Sequence, residues 1–192
     1  YEDCSTSTQM IDLKQSLEDL WSAVRKSYRP LINRGRQKFK ILFLDETSSE
    51  FSLFEEYRKL HYLAAGRQTR PIETFQKMLE LLKAGCAFLI GILDENGRWL
   101  GAYYFYRFHG HTYYSSSALH PEADPHDGIS HFGLWSAIEY AKKRGDLFFD
   151  LGWQPFADEK EFSEKANNIA MFKRGFGGQR VIWFQGVKHF SC

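Results

Sequence analysis

The stretch AFLIGILDENGRWLGAYYFYRFHGHTYYSSSAL, residues 87–119, decides the fold. It contains three runs rich in aromatic and branched residues, cut by two short turns. Residues 87–93 form the first run. Asp94-Glu95-Asn96-Gly97 turns it, because Asn-Gly accepts the positive φ that a tight hairpin requires. Residues 99–108 form the second run, His109-Gly110 turns again, and residues 112–119 form the third. Consecutive strands joined this tightly predict an antiparallel meander.

Downstream, Leu134, Trp135, Ile138 and Ala141 fall on one helical face, predicting a helix over 130–144 closed by Gly145. Residues 147–151 read as a short strand of buried type. Strand, helix and strand in this order predict parallel neighbours joined by a right-handed crossover. Residues 152–163 are polar. A helix over 164–174, the turn Gly175-Phe176-Gly177-Gly178 and a last strand over 180–187 follow. Upstream, Leu13, Leu17, Leu20, Trp21 and Val24 predict an amphipathic helix that Pro30 ends, kinks or restarts. Residues 39–44 read as a strand, and helices are expected from about 52 to 66 and from Pro71 to Gly85. Ser5-Thr6-Ser7-Thr8 reads as frayed. The expected organisation is a flexible segment over 1–12 and one domain over 13–192. The fold class is α/β (α+β), with a mixed, mostly antiparallel sheet flanked by helices.

Composition narrows the chemistry. The chain has 192 residues, 43% of them apolar and 26% charged, enough for one core without a disulfide framework. Lys plus Arg is 25 and Asp plus Glu is 24, which argues against a non-specific nucleic-acid coat. Cys4, Cys86 and Cys192 are odd in number and lack a Cys-x-x-Cys spacing, so a reduced, cytoplasmic setting is expected. Cys86 is expected in the core. No apolar run is long enough for a membrane span. The start, Tyr1-Glu2-Asp3-Cys4, shows neither a Met nor a signal peptide, which suggests a piece of a longer chain.

Five stretches can carry chemistry. The loop 120–128 leads into a helix start at Gly128, Ile129, Ser130 and His131. Amides there either cradle a phosphate or form a plain turn capped by Ser130. Residues 21–40 hold Arg25, Lys26, Arg29, Arg34, Arg36, Lys38 and Lys40 with no acid, which suits a phosphorylated substrate or a solvated face. His61 can act as general base, with Arg67 or Arg70 as an anion clamp or a helix-end charge. Asp150, at the end of the buried strand and close to Trp153, can accept a hydrogen bond from a substrate amine or cap a turn. Lys173 can stabilise phosphate or a developing oxyanion, or complement a helix dipole. His109 and His111 show no recurring ligand spacing, so no metal is expected. Ser115-Ser116-Ser117 lacks the Gly-x-Ser-x-Gly elbow, and neither Gly-x-Gly-x-x-Gly nor a Walker loop occurs.

Four of these stretches resemble the Fem-type branch of the GCN5-related N-acetyltransferase (GNAT) superfamily, over roughly residues 20–186. They are residues 29–35, residues 60–70, residues 134–152 and Phe172-Lys173-Arg174-Gly175-Phe176-Gly177-Gly178. The resemblance implies acyl or aminoacyl transfer to an amine without a covalent enzyme intermediate. The donor is an acyl-coenzyme A or an aminoacyl-tRNA. The expected acceptor is a phosphorylated or nucleotide-linked sugar or peptide of the cell envelope, such as a peptidoglycan precursor. The resemblance implies that Lys173 contacts phosphate or stabilises the oxyanion and that Asp150 and Trp153 line the acceptor crevice. Independently of it, His61 or Asp150 is the expected base, and Arg34, Arg67, Arg70 and Tyr114 are expected to contact substrate. The resemblance places Gly128–His131 at the donor loop. The coenzyme-A signature, Arg or Gln-x-x-Gly-x-Gly or Ala, is missing. Fem-type proteins pair two such modules, and this chain resembles the C-terminal one. The alternative is a non-catalytic module that binds an anionic glycan or a partner protein through residues 21–40.

Overall fold

The computed structural model describes residues 2–3, 5–155 and 163–188. Strands β1 (Glu2–Asp3) and β2 (Thr6–Asp12) come first, then helices α1 (Leu17–Ala23) and α2 (Tyr28–Lys38). Strand β3 (Lys40–Leu44) precedes α3 (Phe54–Ala65) and α4 (Ile72–Lys83). The meander is β4 (Ala87–Leu93), β5 (Trp99–Phe108) and β6 (His111–Leu119). Then come α5 (Ile129–Lys143), β7 (Phe148–Gln154), α6 (Glu164–Arg174), β8 (Gln179–Trp183) and β9 (Gly186–Val187). Seven strands form one mixed sheet in the order β3-β4-β5-β6-β7-β2-β8, and only β6 and β7 pair in parallel.

The local chemistry explains most of these elements. Phe108 pairs with His111, so His109 (φ 46°) and Gly110 (φ 76°) form the two-residue turn, both with the positive φ it demands. Strand β4 is buried on both faces, which is why it reads as an unbroken apolar run. Phe88, Ile90 and Ile92 enter one core with Ile32, Tyr103, Phe105, Trp135, Phe149 and Leu151. Ala87 and Leu89 enter a second, with Tyr57, Phe75, Met78 and Tyr104. Helices α1, α2 and α5 cover the first face, and α3 and α4 cover the second only over the β3 to β6 half. The face of β7, β2 and β8 on that second side is left without a covering helix among the described residues.

Several expectations change. Residues 6–12 are not flexible: β2 is an interior strand between β7 and β8, antiparallel to both. Its sequence TSTQMID is polar because its side chains serve hydrogen bonds more than core packing, so it carries little apolar alternation. The first helix begins at Leu17, capped by Ser16, which accepts from the Asp19 amide; Leu13 is buried in the preceding turn. Pro30 lies inside the first turn of α2, where a missing amide costs nothing. Cys86 is half-exposed at the start of β4. The last strand divides into β8 and β9, and β9 pairs with β1.

Helices α2 and α5 approach closely because Gly35 has no side chain: a Cβ there would lie 2.5 Å from Phe132 Cβ. Asp146, buried behind β6 and β7, takes an ion pair from Arg107 at 2.7 Å and the Thr112 hydroxyl. These contacts fix the end of the crossover just below the point where the two parallel strands meet.

Candidate active site

Strands β6 and β7 are paired only at His111↔Phe148, Thr112↔Phe149 and Tyr113↔Asp150. Beyond that point β6 runs on to Leu119 beside β5 and β7 to Gln154 beside β2, without pairing to each other. The sheet therefore splits open at the C-terminal ends of its two parallel strands, where open α/β sheets place ligands.

Asp150 stands at the mouth of this split. Its Oδ1 accepts the Gly152 amide at 2.7 Å and the Thr8 hydroxyl from β2. Gly152 has φ 82°, and a Cβ there would lie 3.4 Å from Lys173 Nζ and 3.5 Å from the Tyr113 hydroxyl. The lysine, the phenol and the carboxylate thus converge on a backbone with no side chain in the way. Lys173 Nζ donates to the Trp153 carbonyl at 2.7 Å. Burial pulls the Lys173 pKa down to about 8, against the opposing pull of Asp150. Burial also raises the Tyr113 phenol, and Asp150 adds to the shift. The Trp153 side chain stays 43% exposed beside them.

A polar lattice holds this constellation from behind. Ser7 donates to the Gln154 carbonyl, and Gln154 Nε2 donates to Gln9 Oε1 at 3.0 Å. Gln9 Nε2 donates to the Gly177 carbonyl at 2.7 Å, and Arg174 Nε donates to Gln154 Oε1 at 3.1 Å. The lattice ties β2, β7, α6 and the glycine turn together. Satisfied buried networks of this kind rigidify what they join.

His61 belongs to a second cluster. Its Nδ1 lies 2.9 Å from the Thr69 hydroxyl, and Tyr57 and Phe75 meet its ring edge-on. Burial lowers its pKa and the nearby Arg70 lowers it further. Arg70 Nη1 donates to Ser116 Oγ at 3.4 Å, and Ser116 also bonds the Tyr57 hydroxyl at 2.7 Å. The cluster sits against β6, one strand from Asp150, and shares no hydrogen bond with it among the described residues. Arg67 is exposed beyond the left-handed Gly66 cap.

The start of α5 lines a separate cleft of about 290 Å³ with Leu119, Ala123, Asp124, Ile129, Ser130, His131 and Phe172. Gly128 is the N-cap at φ 77°, so Ser130 is not; a Cβ at Gly128 would strike the Leu31 carbonyl at 2.3 Å. Ser130 Oγ accepts from Tyr103 at 3.4 Å. His131 packs edge-on to Tyr28 and Phe172, its Nδ1 is buried without a partner, and burial lowers its pKa to about 4. Tyr114 faces this side, not Asp150: it packs on Phe105 and donates to Ser117 at 2.6 Å.

The basic run largely meets the chain's own groups. Arg25 and Arg29 donate to the carbonyls of Met171, Val24 and Ser22. Arg34 reaches the His126 carbonyl at 2.9 Å, and Lys40 reaches that of Glu95. Arg36 pairs with Glu139 and Lys38 with Asp127. Six of the seven cations therefore contact this chain's own groups. Among the described residues no group of three or more His, Cys, Asp and Glu is placed to hold a metal.

The family model for the GNAT acetyltransferase domain matches residues 22–162. The chain belongs to the GNAT acetyltransferase domain family. Comparison with curated proteins returns no match. The GNAT fold is shared with solved structures. The crystal structure of FemX aligns over 91% of this chain and 59% of its own, at 14% identity and TM-score 0.75. L-PGS from Bacillus licheniformis aligns over 91% and 57%, at 15% identity and TM-score 0.65. An aminoglycoside acetyltransferase from an uncultured soil metagenomic sample, in complex with sisomicin, aligns over 82% and 97%, at 15% identity and TM-score 0.55. The chain spans under two thirds of the length of FemX and L-PGS. No described helix is long and apolar enough to cross a membrane.

The GNAT family implies an acyl-coenzyme A co-substrate. The apolar lining of the α5 cleft suits the donor's narrow thioester arm, and the N-terminus of this 15-residue helix suits one phosphate. The lining offers no Lys or Arg, and it includes Asp124.

Proposed function

We propose that this GNAT domain is an N-acyltransferase that moves an acyl or aminoacyl group to the amine of a cell-envelope precursor, an amino sugar or a peptide, in the cytoplasm. The convergence of Asp150 and Lys173 at the split between β6 and β7 carries this reading. The donor carbonyl enters from the α5 cleft and the amine from the opposite, open side of the split. The amine nitrogen bonds to the carbonyl carbon and passes its proton to Asp150, whose Oδ1 is already positioned by Thr8 and Gly152. Protonated Lys173 stabilises the negative charge that develops on the carbonyl oxygen. Collapse breaks the bond to the donor's leaving group, and the departing thiolate or alkoxide takes up the proton that Asp150 received, which restores the carboxylate. His61, held neutral at pH 7 by its lowered pKa, is the alternative base for acceptors that bind nearer α3. A second GNAT-like module would supply the remaining acceptor contacts.

The test is transfer from acetyl-coenzyme A to a panel of amino sugars and lysine peptides. Lys173→Ala should lower turnover at least about tenfold with the thermal midpoint unchanged. Wild-type turnover in that variant removes Lys173 from the reaction. A charged-tRNA donor, active where acetyl-coenzyme A is not, would move the donor to the aminoacyl class. The alternative is a non-catalytic module that binds an anionic glycan or a partner protein through the 21–40 cations; glycan binding without donor binding or transfer would favour it.

A further inference from the structure

Beside the reacting pair, the second face of the sheet carries three exposed aromatic rings in register. Thr8 fixes which face this is, since its hydroxyl reaches Asp150. Trp153 is the direct antiparallel partner of Thr8, and direct partners share a face. Thr6 lies two residues away on the same face, and its partner is Trp183. Tyr113 is the partner of Asp150 across the parallel pair. Tyr113, Trp153 and Trp183 are 41%, 43% and 57% exposed.

Strand spacing places these rings about 10–12 Å apart in sequence along a path crossing β6, β7, β2 and β8. Thr6 and Thr8 lie between Trp153 and Trp183 on the same face, Thr6 half-buried and Thr8 buried with its hydroxyl on Asp150. Large flat rings, with Thr6 between two of them and the polar Asp150–Lys173 pair at one end, match a ligand that is apolar on its ring faces and polar at its edges. A pyranose has this character: its axial C–H bonds meet the negative face of an aromatic ring, and its hydroxyls meet the edges. The interval exceeds one sugar ring, so several linked sugars are needed to span it. A nucleic-acid strand would need a track of cations, and Arg180 belongs to the opposite face as the partner of Gln9.

We infer that Tyr113, Trp153 and Trp183 form a stacking platform for an amino-sugar oligosaccharide, running from the Asp150–Lys173 pair to the outer strand β8. The platform is continuous with the reaction centre, so one sugar of the bound chain presents its amine to Asp150. The inference rests on the acyltransfer reading only for that last step.

Binding and transfer are measured separately. The probes are glucosamine and its β-1,4- and β-1,6-linked tetramers, followed by calorimetry and tryptophan fluorescence. At least one tetramer should bind tenfold or more tightly than glucosamine. Trp183→Ala should abolish that gain and leave glucosamine binding and the thermal midpoint unchanged. Trp183→Phe should restore most of it. Equal affinity for tetramers and monomer, or an unaltered gain in Trp183→Ala, overturns the platform. So does binding of a lysine peptide or an oligonucleotide in place of every oligosaccharide. Tetramer binding without any acyl transfer keeps the platform and sinks the acyltransfer reading. Transfer to peptides without tetramer binding does the reverse.

Discussion

Lys173 meets two opposing demands. Burial favours its neutral form, while its proposed work needs the cation. With its pKa at about 8, kcat/KM should fall as pH rises through that value. Lys173→Arg keeps a charge at all accessible pH, so the alkaline limb should flatten even if the maximum rate drops. An unchanged limb in Lys173→Arg would assign it to another group. For stability the sign follows from the same shift: above about 8 the unfolded chain holds the proton that the folded chain has lost, so stability rises with pH up to about 10.5. His131 acts on the acid side. Its folded pKa of about 4 lies below 6.5, so the unfolded chain binds a proton first as pH falls. This should remove up to about 2 kcal/mol between pH 7 and pH 5. His131→Phe should lose that acid sensitivity in urea titrations at the two pH values. Equal acid losses in variant and wild type would exonerate the histidine.

Glycines set the element packing around the site. A Cβ at Gly175 would lie 2.0 Å from Tyr28 Cε2, so the end of α6 rests directly on α2. Gly175 has an ordinary helical φ of −65°, which leaves crowding as the cost of a side chain there. Gly175→Ala should therefore lower stability by about 1–3 kcal/mol, read as a lower urea midpoint. The long periodic helices and the hairpins were legible in the sequence because burial on one face or both writes itself into apolar spacing. The helix over Glu164–Arg174 matches the expected bounds, and the β6–α5–β7 crossover has the expected parallel pair. Strand β2 was not legible. It lies between two strands and spends its polar side chains on Asp150, Gln154 and Gly177, so neither periodicity nor hydrophobicity marks it.

Across the whole molecule, the site was half legible. Lys173 and Asp150 could be named from local stretches that resemble a family, yet Thr8 and Tyr113 could not. Thr8 meets Asp150 across 142 positions of sequence, and no local pattern encodes such a meeting. The partners of the basic run, such as Glu139 and Asp127, are likewise remote in sequence. Thr8→Val keeps the branched shape and removes the hydroxyl. It should reduce turnover several-fold, as Asp150 loses a positioning bond, with a change in stability of about 1 kcal/mol. Full activity in Thr8→Val would leave Asp150 to Gly152 alone.

The insertion of β2 between β7 and β8 also has a consequence for birth on the ribosome. Ser7 finds its partner Gln154 only after 147 further positions have been made, and β8 comes later still. At about 5–20 residues per second, β2 waits roughly 7–30 seconds for its slot. During the wait neither edge that will flank β2 has been made. A strand that is polar and carries little apolar surface is a safe thing to leave waiting. The composition that hid β2 from a reading of the sequence also keeps it from pairing with the wrong edge before its neighbours arrive.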